Sequence, residues 1–297
     1  MWIHRIIVGA LAAAVAAAGA RAEPEATVFA VNAPLAAFAE RLGGDAVRVV
    51  FPVPEGRDPQ FWRPTIAEIS AAQRADLILL NGAGFAVWTT KASLPRARTV
   101  DTSRGFADRL IATETITHSH GPEGEHAHTG TAAFTWLDFA QAAIQAEAVA
   151  DALARQLPEQ AGEIEAARTA LLDDLDRLDA RAREIAAGLD GRVLIATHPR
   201  YQYFARAYGL RIESLEWEAG EAPSAAAWAE FDARVAETGA GLLLWETEPA
   251  PEAAAALAAR GMVGAVFETG AGRGSEGFVA RMVRNLDRLA EAAAALP

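Results

Sequence analysis

Four of the chain's six histidines fall in one stretch, THSHGPEGEHAHTG (117–130). His118 and His120 form one H-x-H pair, His126 and His128 a second, and a Gly-Pro-x-Gly segment separates them. Neutral imidazole is a good ligand for zinc, nickel and copper, so this spacing can bring four nitrogen donors onto one ion. The stretch lacks the i, i+4 histidines of a helical H-E-x-x-H hydrolase site. Its glycines predict a mobile, ion-collecting segment. The competing reading, a solvated loop with incidental histidines, fits poorly with so many in so short a stretch. The chain has no cysteine, so thiolate is excluded and any metal must rest on nitrogen and oxygen.

The remaining chemistry-bearing residues lie at the ends of predicted strands. EGRDPQFWRPT (55–65) and ATHPRYQYFARAYGL (196–210) both sit where α/β sheets place ligands, at the carboxyl ends of strands. The second carries His198, the one histidine outside the loop and beyond the N-terminal stretch. FETGAGRGSEGF (267–278) puts Glu268 at a third such position, but its glycine run lacks the G-K-[ST] of a phosphate loop. Glu216, Glu218, Glu221, Glu246 and Glu248 add carboxylates, most of them expected to be solvated. No nucleophile elbow and no general base paired with an ordered metal motif is present, so the sequence does not read as an enzyme.

What positions these residues is a twice-repeated alternation of strands and helices. The apolar runs 27–32, 47–53 and 76–81, with a weaker one at 98–103, predict four strands in the first half. The runs 192–197, 210–215, 241–246 and 262–267 predict four more. Helical patterns intervene, so the fold class is α/β, two similar parallel-sheet lobes. Between them, Ile164, Ala167, Leu171, Leu175, Leu178, Ala182 and Ile185 form one apolar stripe. A helix over 158–188 is expected, opened by Pro158 and closed in a left-handed turn at Gly188. At ~1.5 Å per residue it would be about 45 Å long, a rigid strut along both lobes. The expected organisation is a first lobe at 23–157, the linking helix at 158–188 and a second lobe at 189–297.

Residues 1–22 read as an export signal: a basic start at Arg5, an apolar Ile6–Ala18 and an Ala20-Arg21-Ala22 cleavage pattern. No other segment is apolar for long enough to span a bilayer. The expectation is a soluble periplasmic protein cut near Ala22. The net charge is −12, and removing that segment takes away two arginines and no acid, leaving −14. Such a charge argues against nucleic acid and anionic membrane surfaces as partners.

The motifs taken together resemble a known family. The export signal, EGRDPQFWRPT, the His-rich loop running into TWLDF (135–139), the long helix, THPRYQYFARAYGL (197–210) and RMVRNLDRLAEA (281–292) are similar to the substrate-binding proteins of zinc and manganese ABC importers. The resemblance spans the chain beyond the signal. It implies a metal in the cleft between the lobes, zinc rather than manganese, a membrane permease as partner, and a monomer. It also implies a ligand set from which this chain departs. The first imidazole position of such proteins falls on Gln60 and the second on Phe134. His198 keeps the third in its zinc-type form, with Glu218 the manganese-type candidate, and Glu268 falls near the fourth. Phenylalanine cannot ligate. The expectation is therefore that His126 and His128 join His198 and Glu268 as the zinc ligands, with His118 and His120 capturing ions. Two readings stay open beside it: the same scaffold binding a non-metal solute against Phe61, Trp62, Phe134, Trp136 and Tyr201, and a periplasmic zinc buffer without transport.

Overall fold

The eight predicted strands form two four-stranded parallel sheets. In the computed structural model, which describes residues 23–113 and 130–297 in full and the backbone of 116–119 and 125–128, the first sheet contains β1 (Ala26–Ala30), β2 (Val47–Val50), β3 (Leu77–Leu80) and β4 (Thr99–Asp101). Helices α1 (Ala33–Gly43) and α2 (Ile66–Arg74) make its crossovers. After β5 (Ile116–Ser119) and β6 (Glu125–His128) come α3 (Phe139–Gln156) and α4 (Ala161–Leu189). The second sheet contains β7 (Val193–Ala196), β8 (Arg211–Ser214), β9 (Leu242–Trp245) and β10 (Val263–Val266), with helices α5 (Gln202–Tyr208), α6 (Ala225–Thr238) and α7 (Pro251–Ala258) between them. Helix α8 (Phe278–Ala294) closes the chain. The predicted export signal lies outside the described residues. Among the described residues no helix is long and apolar enough to cross a membrane.

The first sheet has the order β2-β1-β3-β4 and the second β10-β9-β7-β8. Read from the other edge, the second is second-first-third-fourth within its lobe, the same order as the first sheet. Each therefore has its topological switch point between its first and third strands, where a ligand crevice opens. The residues just beyond those strands are Asn32 and Asn81 in lobe one, and Thr197, His198 and Glu246 in lobe two. The central strands are apolar on both faces because helices cover both: Val28, Ile78, Leu79, Leu194, Ile195 and Leu243 are all fully buried.

Helix α4 carries the predicted stripe inward: Ile164, Leu171, Leu175, Leu178, Ala182 and Ile185 are buried and Ala167 partly so. Two details differ from the expected helix. Pro158 opens a separate 3-10 turn, Pro158–Gln160, ahead of α4. At the other end α4 continues through Gly188 to Leu189, and the positive φ falls at Gly191 (+73°). Leu189 is 1 % exposed, so its packing holds one further residue helical before the chain turns.

One continuous apolar cluster runs from lobe one (Val28, Leu35, Phe38) through α4 to lobe two (Leu194, Phe204, Met282, Leu286). Across it Phe38 meets Phe278 edge-on, ring centres 5.3 Å apart, and Ala33 N–H donates to Ala271 O at 2.8 Å. Lobes sharing a core should unfold together. Leu175→Ala, at the fully buried centre of the strut, is expected to lower stability by about 2–5 kcal/mol while keeping one cooperative transition. Urea denaturation followed by circular dichroism checks this; two resolved transitions, or a loss below about 1 kcal/mol, would contradict the shared core.

Candidate functional site

In lobe one the switch point is closed by a buried amide network. Asn81 Oδ1 accepts from Asn32 Nδ2 (3.3 Å), Thr135 Oγ1 (3.1 Å) and Gln145 Nε2 (3.1 Å), while Asn81 Nδ2 donates to Ala133 O (2.9 Å). By holding residues on both sides of it, this network fixes Phe134, the position that the resemblance assigns to an imidazole. Phe134 packs against Phe85 and Trp136, with ring centres 5.9 and 5.1 Å away. Trp136 Nε1 donates across the lobe boundary to Thr269 O at 2.7 Å. Phe134, Trp136 and Tyr201 are all at most 3 % exposed, so they are core residues rather than the open aromatic wall of a solute cleft.

Lobe two contributes three strand ends. After β7 comes His198, 7 % exposed, whose Nδ1 lies 3.1 Å from Trp217 O. A carbonyl only accepts, so Nδ1 carries the proton in the neutral ring and the lone pair is on Nε2, a tautomer that suits a metal ligand. After β9 comes Glu246, which is buried, unlike the solvated state expected of most acids in its group. After β10 comes Glu268, whose backbone is clamped by one side chain: Glu268 N–H donates to Asn285 Oδ1 (3.2 Å), and Asn285 Nδ2 donates to Glu268 O (2.8 Å). The Glu268 carboxylate faces two guanidinium groups, Arg284 Nη2 at 2.7 Å and Arg281 Nε at 3.6 Å.

Between the lobes stands Arg200, which the sequence reading passed over. Its Nη2 donates to Asp58 Oδ2 at 2.6 Å, and its Nε lies 3.0 Å from Glu246 Oε2, too far off line to count as a hydrogen bond. Its guanidinium carbon is 4.8 Å from the centre of the Phe134 ring. The other oxygen of Asp58, Oδ1, accepts from Gln60 N–H at 2.8 Å, so the D-P-Q segment is folded around its own aspartate. Burial alone would lower the arginine's pKa, but Asp58 and Glu246 outweigh it and hold the guanidinium more firmly protonated than usual. Burial, opposed by Arg200, pushes the Glu246 carboxyl above the usual range, and burial likewise raises the Tyr201 hydroxyl. Tyr201 Oη donates to Phe267 O at 2.6 Å, locking the residue beside Arg200 onto the end of β10.

The histidine segment forms a two-stranded antiparallel ladder, β5 against β6, in which His118 pairs with His126 and Ile116 with His128. The two-residue period of a strand puts positions 126 and 128 on one face of that ribbon, with position 118 opposite 126 on the same face. His120 lies outside the described residues. The flanking chain ties the ribbon's base to lobe two: Ile111 N–H donates to Tyr203 Oη at 3.2 Å, and Arg206 Nη1 to Arg109 O at 2.6 Å. Both partners are on α5, the helix that follows His198 and Arg200. Backbone bonds from Ala132 to Ile111 (2.9 Å) and from Thr113 to Gly130 (3.2 Å) complete that base. Among the described residues no group of three or more histidine, aspartate or glutamate side chains is placed to hold a metal ion. His198 and Glu268 thus occupy separate strand ends, each with partners of its own.

Comparison with known proteins agrees with this architecture. Zinc-binding lipoprotein AdcA of Streptococcus pneumoniae is 25% identical over 205 residues, which cover 67% of this chain and 40% of AdcA. Zinc-binding protein TroA of Treponema pallidum is 30% identical over 163 residues, covering 54% of this chain and 50% of TroA. The matches therefore span about half or less of those relatives' own length. A crystal structure of ZnuA superposes with a TM-score of 0.70 at 26% identity, over 90% of this chain and 99% of that one. The family model for ZnuA, described as zinc-uptake complex component A, periplasmic, matches residues 28–292, and the chain belongs to that family.

Proposed function

We propose that this chain is a periplasmic zinc-binding protein that delivers the ion to the permease of an ABC importer, acting as a monomer and without a chemical step. Family membership over residues 28–292 carries this reading. The zinc-binding relatives AdcA and TroA and the tautomer imposed on His198 by Trp217 O support it. Manganese fits less well, because an imidazole-rich donor set favours zinc and a carboxylate-rich set favours manganese. Residues 1–22 act as the export signal in this reading. Residues 23–157 and 189–297 are the lobes, and 158–188 is the strut between them.

The ligands we assign are His126 and His128, brought over from the ribbon to join His198 and Glu268, with His118 and His120 as the capturing pair. Three nitrogens and one carboxylate oxygen make a tetrahedral zinc set. What favours the ribbon as donor is its base, anchored through Tyr203 and Arg206 to α5, the helix that follows His198. Recruiting Glu268 requires its oxygens to turn from Arg284 and Arg281, which stay close enough to take the carboxylate back when the ion leaves. Release to a permease then needs only a disturbance of the ribbon.

Calorimetric titration of the metal-stripped protein with zinc, beside a deletion of residues 117–130, tests the assignment. One tight site is expected in the full chain and none in the deletion; tight binding that survives the deletion would overturn the ribbon's role. His198→Ala is expected to weaken zinc binding at least about tenfold, in line with the removal of a positioned ligand or its support. Affinity equal to the wild type would remove His198 from the set.

A further inference from the structure

We infer that the Arg200 guanidinium is a tethered cation that holds the cleft together in place of a metal ion. Three observations meet at this side chain. It is 8 % exposed and bridges carboxylates from opposite lobes, Asp58 at 2.6 Å and Glu246 at 3.0 Å. It lies over the face of Phe134, the aromatic ring that stands where the resemblance calls for an imidazole. Both carboxylates are themselves held, Asp58 by the Gln60 N–H and Glu246 by Thr269 Oγ1 (3.4 Å), and the Glu246 backbone N–H donates to Thr197 Oγ1 (3.2 Å).

The chemistry of the pocket follows from this arrangement. A divalent ion bridging two lobes needs donor atoms facing inward from each. At Arg200 the groups facing inward are Asp58 and Glu246, two carboxylates sharing one guanidinium, and the ring of Phe134, an aromatic face that attracts an organic cation and offers no lone pair to a metal. Arg200 thus excludes a free ion from between Asp58 and Glu246, and it pins lobe one to lobe two whether or not metal is present. Of these two carboxylates, only Asp58 belongs to the opposite lobe, so Asp58→Asn cuts the link across the cleft and leaves the Arg200–Glu246 pair within lobe two.

The absence of cysteine makes the test direct. Single cysteines introduced at the exposed Ala67 on α2 and Ala254 on α7 carry spin labels, one per lobe, and pulsed electron resonance reads the distance between them in metal-stripped protein. With Arg200 intact, one narrow distribution is expected, unmoved by saturating zinc. In Asp58→Asn and in Arg200→Met the distribution is expected to shift outward and broaden. Zinc should draw the Arg200→Met distribution back, because Asp58 and Glu246 then lack a counter-ion. Arg200→Lys keeps the charge and should stay close to the wild type. An Asp58→Asn distribution indistinguishable from the wild type overturns the tether, and it decides the matter even if Arg200→Met fails to fold. An opened Arg200→Met that ignores zinc overturns the equivalence with a metal ion. The metal-free distances do not depend on what the histidine ribbon binds, so failure of zinc binding at the ribbon would appear in calorimetry and leave this comparison unchanged.

Discussion

A buried guanidinium between two carboxylates is the constraint around which the centre of this molecule is built. An unpaired charge in that position would cost several kcal/mol, and removing one partner of such a group typically costs about 3–5 kcal/mol. Arg200 therefore requires Asp58 and Glu246 to arrive together, from segments 142 residues apart in one case. Each arrives at the end of a polar device. The Asp58 turn closes on the Gln60 N–H, and Glu246 hangs from Thr197 at the switch point of the second sheet. The aromatic face of Phe134 completes the enclosure, and the Asn81 network holds that ring in place.

Packing keeps the two halves of this arrangement in register. The sheets have the same strand order, and one apolar core that includes the buried face of α4 joins the lobes. Contacts such as Trp136 Nε1 to Thr269 O and Phe38 on Phe278 fix the lobes at several separate points. These contacts join the lobes away from Arg200, and around Arg200 the space between them is taken up by Asp58, Glu246 and Phe134. In the proposed reading the ion is held instead by His198, Glu268 and the histidine ribbon, whose base is tied to the helix that follows His198. The ribbon's many imidazoles and the missing imidazoles at positions 60 and 134 are two sides of one substitution in this reading.

Much of the fold was legible in the sequence because burial on both faces of a parallel strand writes itself as an unbroken apolar run. All eight strands of the two parallel sheets fall inside the predicted segments but for Ala26, most ends trimmed by a residue or more, and the α4 stripe is buried as its spacing implied, while β5 and β6 form where a loop was expected. Helix ends were less readable: Gly188 looks like a stop, yet the burial of Leu189 overrides it and Gly191 takes the turn. The site was legible only in part. His198 lies at a strand end as expected, but Glu246 looked like one solvated acid among several and is buried. Arg200 and Asp58 lie within THPRYQYF and GRDPQF, yet nothing local marks them as partners, since their pairing exists only once two lobes meet. The one available signal was an arginine set among aromatic residues immediately after an apolar strand, a position where a charge must find a counter-charge.

In the proposed reading zinc is held by imidazoles of the histidine ribbon and of His198, and not by Asp58 and Glu246. X-ray absorption at the zinc edge of the stoichiometrically loaded protein tests this most directly. The expected result is a four-coordinate shell with scattering from about three imidazole rings at ~2.0–2.1 Å and one oxygen. An oxygen-dominated shell with at most one imidazole would place the ion among carboxylates such as Asp58 and Glu246, and would contradict it.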